Sequence, residues 1–254
     1  MHKIPMGKLE KYPTLPDMAA FSKEACLKEL KGFQKKLFDL QNVFFADGRF
    51  ALLVVFQGLD TSGKDGTIRH VMSCMNPAGV DVKYFKAPMP EEISHDFLWR
   101  VWPHFPAKGI IEVFNRSYYE DIIVPSIAKK MSKDDIDQRM NLVNTVEEHL
   151  EANGTHILKF FLHISREEQE VRLKERLIKP HKMWKYAKAD ELVPKKWDEY
   201  IEVYDKIITK CNNPNWHIIP AGKRWYRNYL VAKIVTEYLG SLHLKYPTKV
   251  ASED

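Results

Sequence analysis

The stretch that decides the fold is ALLVVFQGLDTSGKDGT, at residues 51–67. Its first part, 51–57, is a continuous apolar run rich in branched side chains, typical of a strand covered on both faces of a parallel sheet. The turn that follows contains Gly58, Gly63 and Lys64 at the spacing G-x-x-x-x-G-K and opens a helix. A strand, a glycine-rich turn and a helix in this order predict a phosphate-binding loop.

The residues of this loop are suited to hold phosphate groups. Glycine permits backbone conformations that side chains block, so successive N–H groups can point at phosphate oxygens. The N-terminus of the following helix adds a partial positive charge, and Lys64 adds a full one. The alternative is a glycine-rich turn that binds nothing. We predict that phosphate binds to a run of neighbouring residues, namely Gly58, Ser62, Gly63, Lys64, Asp65, Gly66 and Thr67.

One position departs from the usual loop pattern. Asp65 follows Lys64 directly, where such loops normally have the Ser or Thr that holds magnesium. A carboxylate at this place repels a phosphate unless a cation lies between them. We therefore expect Asp60 to bind Mg²⁺ directly or through water, with Mn²⁺ as the alternative ion. We also expect the Lys64 side chain to lie on a solvent-facing loop rather than in the core.

In the rest of the chain, predicted strands alternate with helical stretches, as in an α/β protein. Further apolar runs predict four more strands, which lie at 80–85, 110–114, 157–163 and 216–219. Helical stretches between them predict a three-layer, doubly wound parallel sheet. Apolar residues recur at three- and four-residue steps from Leu27 to Phe44, which predicts a long amphipathic helix. We predict a single domain over 1–254, with an N-terminal helical extension at about 17–46 and a charged helical lid at about 165–190.

A second polar cluster follows the third predicted strand, at the sheet edge where ligands of open α/β folds bind. Asn115 lies where comparable folds commonly have a metal-binding Asp, and Glu120 or Asp121, one turn on, can supply the missing charge. Asp60 and Asn115, together with Glu120 or Asp121, are therefore our candidate metal ligands, and the family resemblance described next favours Glu120. Arg116 is suited to clamp a phosphoryl group, and the alternative is an arginine on the surface of a helix start.

Taken together, these motifs resemble the polyphosphate kinase type 2 family. The resemblance rests on GLDTSGKDGT (58–67), FKAP (85–88), HDFLWRVWPHFP (95–106), FNRSYYED (114–121) and PAGKRWY (220–226). It implies a P-loop kinase fold similar to that of thymidylate kinase, with a lid over the site. It also implies Mg²⁺-dependent, reversible transfer of the terminal phosphate of inorganic polyphosphate to a nucleotide, with Asp60, Lys64 and Arg116 as catalytic residues.

The resemblance extends to the substrates. Asn115 with Glu120 is similar to the subgroup that phosphorylates both AMP and ADP, so AMP, ADP and ATP are the expected nucleotides, with guanine nucleotides as an alternative. Polyphosphate carries about one negative charge per phosphate, so its channel needs a line of cations. Lys86 and Arg100 are candidates for this line. Arg176 and Lys182 match lid positions of the family, whereas i,i+4 ion pairs explain most other lid charges.

Two other functions stay open. An ATP-dependent nucleoside or nucleotide kinase shares the loop, lid and fold class, but it predicts Ser or Thr after Lys64. A non-catalytic polyphosphate-binding protein needs no acidic metal ligands. A formal net charge of +5 favours an anionic partner without requiring nucleic acid. With no signal sequence and no membrane-length apolar segment, we expect a soluble cytoplasmic protein without membrane or nucleic-acid partners, and a homo-oligomer is compatible with the sequence.

Overall fold

Five parallel strands form one sheet in the computed structural model, which describes residues 8–184, 186 and 194–248. The strand order is β2-β3-β1-β4-β5. The bounds are β1 Ala51–Gln57, β2 Val80–Tyr84, β3 Ile111–Asn115, β4 Thr155–His163 and β5 Trp216–Pro220. The predicted strands and the parallel α/β class are confirmed, with bounds that differ by at most two residues.

Helices connect the strands and cover both faces of the sheet. Their bounds are α1 Lys23–Asp47, α2 Lys64–Met72, α3 Pro90–Ser94, α4 Glu120–Ile127, α5 Lys133–Ala152, α6 Arg166–Ile178, α7 Pro180–Met183, α8 Trp197–Lys210 and α9 Arg224–Ser241. Serine side chains begin three of them, because Ser22, Ser132 and Ser165 each accept a hydrogen bond from a backbone N–H of the first turn.

Two apolar cores lie on opposite sides of the sheet. One face packs against α4, α5 and α8, and the other packs against α1, α2 and α9. Every residue of β1 is buried, as its continuous apolar run predicted. The chain runs from β1 toward β2 in one direction and toward β5 in the other, so the order reverses at β1. Ligands of such folds bind at this reversal, outside the carboxyl ends of the strands.

The charged segment predicted as a lid forms α6 and α7, and its positions 185 and 187–190 fall outside the described residues. The expected i,i+4 ion pairs are present, with Arg172 Nε 2.6 Å from Glu168 and Lys179 Nζ 2.5 Å from Glu175. The function of this segment as a lid and the domain bounds stay predictions. Within the described ranges, no helix combines the length and apolarity that a membrane span needs.

Candidate active site

The loop between β1 and α2 has a backbone that requires its glycines. Gly58 and Gly63 have φ angles of +143° and +103°, a region that other residues rarely adopt. A Cβ at Gly58 would lie 2.7 Å from the Leu162 carbonyl oxygen, and one at Gly63 would overlap Nη1 of Arg227. The loop therefore turns tightly at the end of β1, and α2 begins directly after it, at Lys64.

Lys64 is buried, so the expectation that it faces solvent was wrong. Its exposed fraction is 7%, and Nζ donates to the carbonyl oxygens of Gly58 at 2.6 Å and Leu59 at 3.3 Å. The physical reason is that the loop folds around the side chain and offers it backbone oxygens. Burial lowers the Lys64 pKa to about 8, and the nearby Arg116 adds to this effect. An anionic ligand at the loop would restore the preference for the charged form.

Arg116 stands between two carboxylates at the carboxyl end of β3. Its Nη2 lies 2.7 Å from Asp60 Oδ1, and its Nη1 lies 3.7 Å from Glu120 Oε2. Its φ of +63° is unusual for a residue with a side chain, so the backbone makes a strained turn at Arg116, directly after β3. Glu120 and then Asp60 raise the Arg116 pKa, although burial opposes them. The predicted catalytic pair Asp60 and Arg116 is thus in direct contact.

The two carboxylates respond differently to this position. Burial alone would raise the pKa of Asp60, but Arg116 and Lys64 outweigh it and the pKa is lowered. For Glu120 burial dominates, so its pKa is raised despite the same two cations. Asp60 is therefore the firmly ionised group, and Glu120 holds its proton more readily.

Each of the predicted metal ligands contacts another protein side chain near the loop. Asn115 is buried and its Nδ2 donates to Asp65 Oδ1 at 2.7 Å, while Asp60 and Glu120 both contact Arg116. Among the described residues, no three Asp, Glu, His or Cys side chains form a metal cluster. Mg²⁺ is usually held by one or two carboxylates together with water and substrate phosphates, so this donor set fits the ion.

A cleft of about 850 Å³ opens above the loop. Its volume is that of a site for a nucleotide-sized ligand. Among the described residues, the acidic groups of the lining are Asp60 and Asp65, and the basic ones are Lys64, Arg69, Lys86, Arg116, Arg172, Arg176, Lys182, Arg224 and Arg227. The excess of cations gives the cleft the field of an anion site. Lys86, Arg176 and Lys182 line the same cleft as Lys64 and Arg116, and their contact with phosphate stays a prediction.

Arg100 does not line this cleft. Its exposed fraction is 7%, its Nη2 lies 2.7 Å from Asp121 Oδ2, and its Nη1 donates to the Lys86 carbonyl oxygen at 2.9 Å. These contacts tie the segment after β2 to the start of α4. A buried guanidinium that already has a carboxylate partner and a backbone acceptor gains little from polyphosphate. Arg100 thus contacts the backbone of Lys86, but it does not line the cleft as the other predicted basic phosphate ligands do.

Two arginines that the sequence reasoning missed lie directly behind the loop. Arg172, on α6, donates to the carbonyl oxygens of Thr61 at 3.0 Å, Ser62 at 3.2 Å and Ala221 at 2.9 Å. It thereby connects the charged segment, the loop and the end of β5. Its i,i+4 spacing from Glu168 is typical of a surface ion pair, so the sequence pattern did not indicate this role.

Arg227, on α9, is the less satisfied of the two. Its exposed fraction is 3%, and its Nη1 donates to the Ser62 carbonyl oxygen at 3.2 Å. No described carboxylate lies within ion-pair distance of it. Burial lowers the Arg227 pKa to about 9, with Arg172 and Arg224 adding to the effect. A buried cation without a counter-charge is stabilised when an anion binds beside it.

Comparison with known proteins finds relatives that match nearly the whole chain. A family model described as Polyphosphate kinase 2 (PPK2) matches residues 20–247. The AMP/ADP-polyphosphate phosphotransferase of Meiothermus ruber is 42% identical over 242 residues, which cover 93% of this chain and 91% of that protein. The ADP-polyphosphate phosphotransferase of Rhodopseudomonas palustris is 38% identical over 96% and 89% of the two chains. The crystal structure of Polyphosphate Kinase 2 from Arthrobacter aurescens TC1 superposes with a TM-score of 0.91 at 34% identity, covering 96% and 89%.

Proposed function

Because the chain belongs to the polyphosphate kinase 2 family, we propose that it transfers the terminal phosphate of inorganic polyphosphate to AMP and ADP. The observation that carries this proposal is the cleft, in which many cations and two carboxylates surround a glycine-rich loop. Relatives that cover nearly the whole chain are named for phosphate transfer to AMP and ADP or to ADP. ATP follows as the product of the ADP step and as the donor in reverse.

The role of each residue in the transfer follows from its position in the site. An oxygen of the acceptor's terminal phosphate attacks the last phosphorus of polyphosphate, and the bond from that phosphorus to the bridging oxygen breaks. The leaving group is polyphosphate shortened by one unit. The acceptor oxygen is already ionised, so no general base is needed. Lys64, under the loop, would hold the donor phosphates, and Arg116, at the end of β3, would follow the transferring phosphoryl group.

The contact between Arg116 and Asp60 must loosen for this to happen. Asp60 would hold Mg²⁺, with Asn115 and Glu120 as further oxygen ligands, and the ion would neutralise charge on the phosphates. Arg116 would then exchange its carboxylate partner for phosphate oxygens, for which a guanidinium is equally suited. The lowered pKa of Asp60 keeps this carboxylate ionised and ready for a cation.

A product assay tests the proposal. Purified protein is incubated with polyphosphate, Mg²⁺ and, in turn, AMP, ADP, GMP or GDP, and the products are separated by anion exchange. We expect ADP and ATP from the adenine acceptors, and the guanine arms test whether the base is selected. An arm with ATP and a nucleoside tests the ATP-dependent kinase. The Lys64→Ala variant is the control for contaminating kinases, and no phosphorylated product from any polyphosphate arm would refute the proposal.

The proposal also bears on where the protein works. AMP and ADP are the acceptors, and their pools lie in the cytoplasm, so we propose that compartment. Fractionating cells that express the chain, and assaying each fraction for polyphosphate-dependent ATP formation, tests it. Activity confined to a membrane or periplasmic fraction would contradict it.

A further inference from the structure

A fully buried ion pair lies inside the apolar core between the sheet and α5. Glu147 of α5 and Lys159 of β4 are each 0% exposed, and Lys159 Nζ lies 2.6 Å from Glu147 Oε2. Cys211 and Trp216, which contact Lys159, belong to the apolar core on this face of the sheet. Charges removed from water in this way rarely stabilise a fold more than well-packed apolar side chains would. The pair therefore indicates a role other than stability.

Both members of this pair have further hydrogen-bond partners. Lys159 Nζ also donates to the Cys211 carbonyl oxygen at 2.8 Å and to Tyr119 Oη at 3.3 Å. The second carboxylate oxygen, Glu147 Oε1, accepts from the hydroxyls of Tyr118 at 2.6 Å and Tyr119 at 2.8 Å. Burial, followed by the charge of Glu147, raises the pKa of both tyrosines, so their hydroxyls keep the protons that they donate. One carboxylate oxygen thus binds two consecutive side chains.

These tyrosines belong to the turn between β3 and α4, which carries predicted catalytic and metal-binding groups. Arg116 lies before them, with its φ of +63°, and Glu120 directly follows them as the first residue of α4. A residue with a side chain is strained in this left-handed region, and the conformation persists when the surrounding structure holds it. Inside the turn, the Glu120 N–H donates to the Ser117 carbonyl oxygen, which is a local contact. The tyrosine hydroxyls connect this short turn to α5 and β4.

Gln57 contacts the same turn from the end of β1. It is fully buried, and its amide is oriented so that both ends are bonded: the oxygen accepts from Ser117 Oγ at 3.1 Å, and the nitrogen donates to Glu120 Oε1 at 3.1 Å. The other oxygen, Glu120 Oε2, lies 3.7 Å from Arg116 Nη1. The relative positions of Arg116 and Glu120 therefore depend on how firmly the turn is held. A displacement of about 1 Å in such a group can cost about 10²-fold in rate.

We propose that Glu147 is a positioning residue for the phosphoryl transfer. Through the hydroxyls of Tyr118 and Tyr119 it holds the turn at 116–120 against the core, and its lysine partner keeps the carboxylate charged and oriented. Arg116 and Glu120 thereby keep the relative geometry that the reaction needs. The effect on the rate rests on the proposed function, whereas the anchoring of the turn is a property of the fold that is measured without activity.

Hydrogen exchange tests the anchoring. The double variant Tyr118→Phe/Tyr119→Phe keeps both rings and removes both hydroxyls, so the amides at 117–122 should exchange at least about tenfold faster, while those of α9 keep the wild-type rate. The matched control is Tyr238→Phe, which removes a hydroxyl 2.9 Å from His156 Nδ1 on the opposite face of the sheet and should leave exchange in the turn unchanged. A folded double variant with wild-type exchange in the turn overturns the proposal, whatever its activity.

Steady-state kinetics measure the consequence for the reaction. The double variant should lose about tenfold in kcat at an unchanged KM for polyphosphate, because the cations of the cleft are untouched. In a Glu120→Ala background the same two substitutions should cost less, since part of their effect acts through Glu120, whereas a purely structural loss would be equal in both backgrounds.

Circular dichroism gives the folded fraction, and the single variants Tyr118→Phe and Tyr119→Phe replace the double variant if it does not fold. An active wild type whose folded tyrosine variants keep its kcat overturns the proposal. A wild type without polyphosphate-dependent activity refutes the proposed function instead, and hydrogen exchange still decides whether Glu147 anchors the turn.

Discussion

Replacing Arg227 with methionine tests whether this arginine binds a ligand or only supports the structure. Burial lowers the Arg227 pKa from its usual range to about 9, which corresponds to on the order of 5 kcal/mol of unfavourable free energy for the charged form. Against this stand three hydrogen bonds, to Ser62 and Asn228, each worth about 1 kcal/mol. Methionine fills similar space without the charge. The ligand-free variant should therefore keep or gain about 2 kcal/mol in free energy of unfolding.

The same variant should bind polyphosphate more weakly, even though its free energy of unfolding is kept or increased. Loss of one charge-assisted phosphate contact weakens affinity by about 10- to 100-fold. It should also reduce the slope of log affinity against log salt by about 0.7, the value per contact for single strands. Urea denaturation measures the free energy of unfolding. Fluorescence anisotropy with labelled polyphosphate, between about 50 and 200 mM salt, measures the affinity and its salt dependence.

Arg100→Met is the matched control, because Arg100 is equally buried but has a carboxylate partner and lies outside the cleft. It should lose about 3 kcal/mol of stability, since Asp121 is left without its cation, and its salt slope should stay that of the wild type. If Arg227→Met is destabilised like Arg100→Met and binds polyphosphate normally, then Arg227 only supports the loop and the reasoning is refuted.

Two further predictions concern the cleft. Lys64→Ala should lower kcat by about 10²- to 10³-fold. The kcat/KM of the wild type should fall as pH rises through about 8, because the free enzyme loses the Lys64 charge there. A variant that keeps more than about a tenth of the activity, or a flat pH profile of the wild type, contradicts this role. Glu175 pairs with Lys179 and Lys182 and lies 3.6 Å from Arg224. Because Glu175→Gln removes the negative charge beside these cations, it should tighten polyphosphate binding about threefold at low salt, and unchanged or weaker binding contradicts this prediction. The control is Glu202→Gln, which breaks the ion pair with Lys206 on α8.

The sequence predicted those features that local patterns encode. The apolar run of β1 and the glycine spacing act within a few residues, and the strand and the start of α2 lie where these patterns indicated. The ends of β1 and β3 meet because parallel strands deliver their carboxyl ends to one edge, which brings Asp60 and Arg116 into contact.

Contacts between distant segments were not predictable in this way. Arg172 and Arg227 reach the loop from α6 and α9, and their roles depend on how those helices dock. The burial of Lys64 depends on the path of the loop backbone, which the spacing of glycines does not specify. Arg100 was assigned from its charge, whereas its partner Asp121 comes from another segment. Charge alone does not distinguish a cation that awaits a ligand from one that is already paired.

We expect the acceptor specificity to depend on Glu120, which is the first residue of α4 and lies 3.7 Å from Arg116. AMP is one phosphate shorter than ADP, so an AMP complex has one fewer phosphate to hold the metal. If Glu120 provides that missing ligand, Glu120→Ala should lower kcat/KM for AMP more than for ADP, by about tenfold in the ratio. A carboxylate at the first turn of a helix is also favourable for the helix itself, and a purely structural role would lower the free energy of unfolding by about 0.5 kcal/mol and affect both acceptors equally. Asp134→Ala, in the first turn of α5 and outside the cleft, controls for this helix effect. An unchanged AMP-to-ADP ratio in Glu120→Ala would exclude the metal role and leave Glu120 as a partner of Arg116.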